Sequence, residues 1–288
     1  MSRPNTSFIL TLSCQDRRGI VHAVARFLSE RSCNIEEAAQ FTDHENQQFF
    51  MRIAFVMEGE KLDMEELRVQ FEDLVATEFD MHWELADADL KMPAIIMVSK
   101  LGHCLHDLLL RWRTGLLPID IKGIVSNHRD FYQLAASYDV PFFHIPVTAA
   151  TKPLAEAELM EIFDSESAQL VILARYMQVL SDDLSRKLSG RAINIHHSFL
   201  PGFKGAKPYF QAHARGVKLI GATAHYVTGD LDEGPIIEQD VERADHSMSP
   251  ASLTALGRDV ESVVLARAVR WHAERRVIVN GNRTVVFR

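Results

Sequence analysis

Three cysteines, Cys14, Cys33 and Cys104, are all that 288 residues contain, and no two form a C-x-x-C pair. That scarcity excludes a disulfide framework, gives no cysteine-based zinc spacing, and fits a reducing, cytoplasmic compartment. Positive charge is also short. With 31 Lys and Arg against 39 Asp and Glu, the formal net charge is -8, the wrong sign for a protein whose main work is neutralising phosphates. Nucleic acid is therefore not an expected partner. Apolar runs are short as well: none approaches the roughly 20 residues of a membrane span. The opening Met-Ser-Arg-Pro-Asn-Thr has no apolar stretch behind its basic residue, so neither a leader nor a membrane anchor is expected.

What is present is the balance of an ordinary globular protein, 47% hydrophobic and 24% charged. Single cores stop growing near about 250 residues, so two domains are expected at this length. The β-prone run Phe8 to Leu12 leads through Cys14-Gln15-Asp16-Arg17-Arg18-Gly19 into apolar residues at helical spacing, Ile20, Val21, Val24, Phe27 and Leu28. Two extended segments follow, Ile35 to Thr42 and Gln48 to Met57, parted by Asp43-His44-Glu45-Asn46. A helix from about Met64 to Ala76 and a strand from Met81 to Leu85 complete β-α-β-β-α-β, the split βαβ, ferredoxin-like sandwich, over residues 1–86.

Residues 87–92 read as a linker. Beyond them Ala94 to Val98 is a continuous apolar run, as a strand buried on both faces of a parallel sheet requires. Strand and helix patterns then alternate: helix Leu101 to Trp112, strand Ile119 to Val125, helix Asp130 to Tyr138, strand Pro141 to Ile145, helix Leu154 to Phe163, strand Leu170 to Leu173. Further strands are expected at Ile193 to His196, Leu219 to Val227 and Pro235 to Val241. A helix from Pro250 to Ala273 and a hairpin around Asn280-Gly281 close the chain. The expected fold of residues 93–288 is thus a Rossmann-like, open, mostly parallel α/β sheet, in which ligands gather at the carboxyl ends of strands.

The chemistry concentrates in two stretches. Asn194-Ile195-His196-His197 ends a strand and opens the irregular Ser198 to Pro208. Strand alternation puts Asn194 and His196 on one side, where an amide and an imidazole can converge on a small group. About thirty residues on, His225 lies on a strand, and Asp232 sits in the turn Asp230-Leu231-Asp232-Glu233-Gly234. An amide, an imidazole and a carboxylate at strand ends suit acyl transfer: donors stabilise an oxyanion and a base moves a proton. Taken singly, His197 and His225 are better read as hydrogen-bonded core residues. A metal reading of His196, His197, His213 and His225 lacks the spacing of a zinc site, and none is expected.

Two resemblances sharpen this. The element order of residues 1–86, with the loop Asp16-Arg17-Arg18-Gly19, resembles the ACT domain. That implies a regulatory module binding an amino-acid effector at Asp16, Arg17, Arg18 and Gly19, and a homo-oligomer; the plain alternative is that Gly19 only permits a tight turn. Asn194-Ile195-His196, Leu200-Pro201-Gly202-Phe203-Lys204-Gly205 and Asp232-Glu233-Gly234, in that order, resemble the folate-dependent formyltransferase and formyl-hydrolase superfamily. The resemblance covers about residues 92–288. It implies 10-formyltetrahydrofolate as substrate and no cofactor, within one-carbon and purine metabolism. Asn194 and His196 would polarise the formyl oxygen, Asp232 would accept a proton through a water, and His225 would support that water. The pterin would lie against Arg175, Tyr176, Met177, Val179 and Leu180, and against Gly229, Asp230 and Leu231.

The acceptor is the remaining choice. Transfer to glycinamide ribonucleotide needs a phosphate cradle after the first strand of the domain, and Val98 to His106 offers a single glycine, Gly102, beside Leu101 and His103. Water, and hence hydrolysis, is the expected acceptor, with phosphoribosylglycinamide-type transfer as the alternative. Formylation of a charged tRNA is disfavoured by the acidic balance, and a purely amino-acid-sensing role by the complete catalytic trio.

Overall fold

The computed structural model describes residues 6–57, 63–200 and 208–288. The chain divides into two compact units, one of Met1–Leu90 with Glu274–Asn280 and Val285–Arg288, the other of Lys91–Ala273 with Gly281–Thr284. Among the described residues no helix is long and apolar enough to cross a membrane.

The first unit runs β1 (Thr6–Gln15), α1 (Ile20–Ser29), β2 (Cys33–Asp43), β3 (Gln48–Met57), α2 (Met64–Phe71), a π turn (Glu72–Ala76), α3 (Thr77–Phe79) and β4 (His82–Asp87). Its sheet has the order β2-β3-β1-β4 and is antiparallel throughout. Every second residue of β3 from Phe49 to Met57 faces the helices, meeting Leu67, Phe71 and Phe27 in one apolar cluster. Phe71 packs edge-on against both Phe27 and Trp83, with centroids 5.2 and 4.7 Å away. The single helix expected from Met64 to Ala76 is regular only to Phe71, then widens through the π turn.

The opposite face of β3 is covered too, which explains why the end of the chain groups with this unit although the sequence alone runs the second domain to Arg288. Arg52, 3% exposed, donates to the backbone carbonyl of Glu274 at 3.1 Å and to Glu37 at 2.9 Å. Asn280 donates to Asp43 at 2.9 Å.

The second unit runs β5 (Met92–Val98), α4 (His103–Arg113), β6 (Ile119–Ser126), α5 (Tyr132–Ser137), β7 (Phe142–His144), α6 (Lys152–Ser165), β8 (Leu170–Leu173), α7 (Asp182–Lys187), β9 (Ala192–His196), α8 (Pro208–Arg215), β10 (Leu219–Tyr226), β11 (Ile236–Arg243) and α9 (Pro250–Ala273). The terminal hairpin is β12 (Val277–Asn280) with β13 (Arg283–Val286). The main sheet has the order β11-β10-β9-β8-β5-β6-β7. Strands β9, β8, β5, β6 and β7 are parallel, and β10 and β11 add an antiparallel edge. The chain first winds outward from β5 through β6 to β7, then continues on the other side with β8 and β9. That reversal opens a crevice at the carboxyl ends of β5 and β8. Helices α7 and α8 were not expected from the sequence; Ser181 caps α7, its Oγ accepting from the Leu184 amide at 3.2 Å.

Candidate active site

Strand β9 ends in Asn194 and His196, and β10 runs antiparallel beside it with His225 opposite Asn194 and Thr223 opposite His196. The register shifts between Ala224 and His225 against β11, where the chain leaves the sheet for the loop to Pro235. That loop folds back over the strand ends and delivers Asp232. Its return depends on Gly234, because any side chain there would collide with the Tyr226 carbonyl. Asp232 itself adopts a left-handed backbone, φ 58°, as does Arg175 after β8, φ 65°. Non-glycine residues in that region concentrate at functional sites.

The side chains converge. His196 Nδ1 lies 3.2 Å from Asp232 Oδ2, and His225 Nε2 lies 3.7 Å from Asp232 Oδ1. His225 Nδ1 sits 2.9 Å from the Tyr226 carbonyl, which only accepts, so Nδ1 carries hydrogen, and Nε2 faces the Asn194 side-chain nitrogen at 3.3 Å as well as Asp232. The hydrogen bond from His196, with support from His225, holds the Asp232 carboxyl well below the usual carboxylate range against the opposing effect of burial. His196 Nε2 is buried and has no hydrogen-bond partner among the described residues.

These groups line one cavity of about 250 Å³. All eight residues assigned to the pterin surface, Arg175, Tyr176, Met177, Val179, Leu180, Gly229, Asp230 and Leu231, line it as well. Met177, Val179 and Leu231 are 57%, 56% and 61% exposed and form an apolar rim that no described residue covers. The loop after β8 is pinned by Ser99 at the end of β5, whose Oγ accepts from the Met177 amide at 3.0 Å and donates to Asn127 at 2.7 Å.

His197 and His225, which read singly as structural, both line the cavity. The His197 ring stacks on His196, centroids 4.6 Å apart, and its Nδ1 accepts from Arg175 at 3.1 Å. Burial pushes the His197 imidazole down to about 4, and the nearby Arg175 guanidinium adds to the shift. Residues 201–207, which carry most of the Leu-Pro-x-x-x-Gly loop, lie outside the described residues. His103, whose side chain was expected to crowd a phosphate bound after β5, turns onto Glu261 of α9 at 2.7 Å. Among the described residues, His103, Cys104 and Glu261 are the group whose ligand atoms lie within 4.8 Å of one another. Gln178, Ser185 and Thr228 also line the cavity, whereas Glu261, buried on α9, stands outside its lining. Glu261 could have been suspected only as a carboxylate among apolar residues on the inner face of α9.

In the first unit, Gly19 takes φ 99° as the residue before α1, and Arg17 lies over the Phe79 ring at 4.3 Å while donating to the Glu78 carbonyl. The Asp16 amide donates to Gln47 at 2.8 Å. Arg18 is exposed.

A two-strand Asn-x-His and Asp-x-Gly centre at the carboxyl edge of a Rossmann-like sheet defines a formyl-transferring catalytic domain. The Formyl transferase family matches residues 92–269 and the ACT domain family residues 8–69. The chain belongs to the formyltetrahydrofolate deformylase family. It is 52% identical to the formyltetrahydrofolate deformylase of Corynebacterium sp. (strain P-1) over 97% of its own length and 98% of that protein's. The solved formyltetrahydrofolate deformylase of Burkholderia mallei is 56% identical with a TM-score of 0.94, the match covering 98% of this chain and 100% of that one. Glycinamide ribonucleotide transformylase 1 of Symbiobacterium toebii is similar at 29% identity and TM-score 0.64, covering 69% of this chain and 95% of the other.

Proposed function

We infer that this chain hydrolyses 10-formyltetrahydrofolate to tetrahydrofolate and formate, with water as the acceptor. The observation that carries the mechanism is the convergence of Asn194, His196 and Asp232 on one cavity wall, with His196 Nε2 unpartnered among the described residues. The pterin lies against the segment from Arg175 to Leu180 and the turn from Gly229 to Leu231, between the exposed Met177, Val179 and Leu231 side chains. The formyl oxygen then takes hydrogen bonds from the Asn194 amide and from His196 Nε2. With Nδ1 donating to Asp232, Nε2 carries hydrogen when the ring is an imidazolium. Water attacks the formyl carbon, forming a C–O bond and placing negative charge on the oxygen these donors face. Asp232, with His225 at its other oxygen, takes the proton from water and passes it toward the folate nitrogen as the C–N bond breaks. A carboxylate so well stabilised is a weak base by itself, so it acts as a relay and not as the proton's resting place. The folate is consumed as substrate, and no step as written calls for a cofactor.

Residues 1–86 act as an ACT-type regulatory unit, joined through 87–92 to the catalytic domain, with an amino-acid effector near Asp16 to Gly19 and a homo-oligomeric assembly. Full-length similarity to deformylases supports hydrolysis over transfer, because the transformylase match stops at about two-thirds of the chain. The test is formate release from 10-formyltetrahydrofolate alone, and again with glycinamide ribonucleotide. Release without an amine, unchanged by the ribonucleotide, is expected. Formyl transfer that requires the ribonucleotide would overturn the reading.

A further inference from the structure

Behind the cavity lies a second carboxylate that the reaction as written does not use. Glu261, in the middle of α9, is 1% exposed. Its Oε1 accepts from the Tyr209 hydroxyl at 2.7 Å, and its Oε2 lies 2.7 Å from His103 Nε2 and 3.4 Å from Arg175 Nε. Burial alone would raise the Glu261 carboxyl, but the His103 hydrogen bond and the Arg175 guanidinium outweigh it and keep it below its ordinary value. One turn earlier stands Gly257, a weak helix residue, and a Cβ there would strike the Tyr209 ring. The helix thus sacrifices a side chain to let Tyr209 reach the carboxylate.

From Glu261 the contacts run to the reacting centre without a break: Arg175 to His197 at 3.1 Å, His197 stacked on His196 at 4.6 Å, His196 to Asp232 at 3.2 Å. We infer that Glu261 is a positioning residue of this site: its carboxylate orients and neutralises Arg175, so that the guanidinium holds His197 as a neutral ring against His196 without adding an unpaired cation there. The inference rests on the hydrolytic role given to His196. His196 Nε2 donates to the forming oxyanion when the ring carries both hydrogens, and an uncompensated guanidinium one buried ring away would oppose that state. A bare carboxylate would be equally out of place; paired, the two charges cancel and leave His196 with the charge the reaction needs. The proximity of His103, Cys104 and Glu261 has the same explanation, since the Glu261 oxygens already meet two donors and a guanidinium where a metal cation would stand.

The test uses the full-length protein and compares Glu261→Gln, which removes the charge, with Tyr209→Phe, which removes one hydrogen bond to it. Glu261→Gln is expected to lower kcat about ten-fold or more while KM for 10-formyltetrahydrofolate stays within about three-fold, and Tyr209→Phe to keep kcat within about two-fold. Nitrogen NMR of the histidine rings in the unmodified protein is expected to find His197 neutral, with hydrogen on Nε2 and Nδ1 bare. A folded Glu261→Gln with undiminished kcat, or equal losses in both variants, overturns the proposal. So does a charged His197, or hydrogen on its Nδ1, and this measurement decides the matter if Glu261→Gln does not fold. Absence of formate release by the unmodified protein would instead strike the hydrolytic reading itself.

Discussion

Asp232 and Glu261 are two carboxylates of one domain, each beside a histidine and each held in its charged form, yet the roles proposed for them differ. Glu261 sits inside a helix with hydrogen bonds to Tyr209 and His103 and an ion pair to Arg175. Asp232 sits in a turn, touches two imidazoles and lines an open cavity. The difference teaches that access and incomplete solvation, more than residue type, separate a reacting carboxylate from a supporting one.

The comparison breaks first at Asp232. Asp232→Asn preserves shape and removes the relay, so kcat is expected to fall about 10²- to 10⁴-fold while tetrahydrofolate still binds, as equilibrium titration would report. Equal loss of binding would make Asp232 another supporting carboxylate. Asn194→Ala removes one donor to the oxyanion, with an expected loss in kcat of about 10²- to 10³-fold in steady-state kinetics. Val179→Asp places charge on the apolar rim and is expected to raise KM roughly ten-fold with kcat nearly intact, since about 1.4 kcal/mol of lost binding is a factor of ten. The smallest effect concerns stability. Unfolded, His197 takes a proton below about 6.5; folded, only below about 4. Between those values the unfolded chain binds more protons, so stability falls as pH drops through this window. Thermal melts across it should show the decline, and His197→Gln should flatten it.

Much of this was legible in the sequence for identifiable reasons. Continuous apolar runs such as Ala94 to Val98 and Leu170 to Leu173 have no stable place outside a buried sheet, and Asn194 and His196 share a side by strand alternation. Helices α7 and α8, of six and eight residues, carry too few turns for a periodicity to emerge. The return of the chain end to this unit rests on the Glu274 carbonyl, which every residue possesses, and on Arg276 and Asn280 side chains whose partners Glu37 and Asp43 lie more than 200 residues away in sequence. Glu261 was hidden differently: its partners His103, Arg175 and Tyr209 come from three separate segments, and only the fold assembles them.

The left-handed backbone of Asp232 sets evolution a conflict. Glycine would relax that turn, where a side chain in this conformation costs about 1 kcal/mol, but it would erase the carboxylate. The position is one at which stability selection and catalytic selection pull toward different residues. An Asp232→Gly protein should therefore hydrolyse almost nothing while losing less in melting temperature than Asp232→Ala, which gives up the same imidazole contacts without relaxing the backbone.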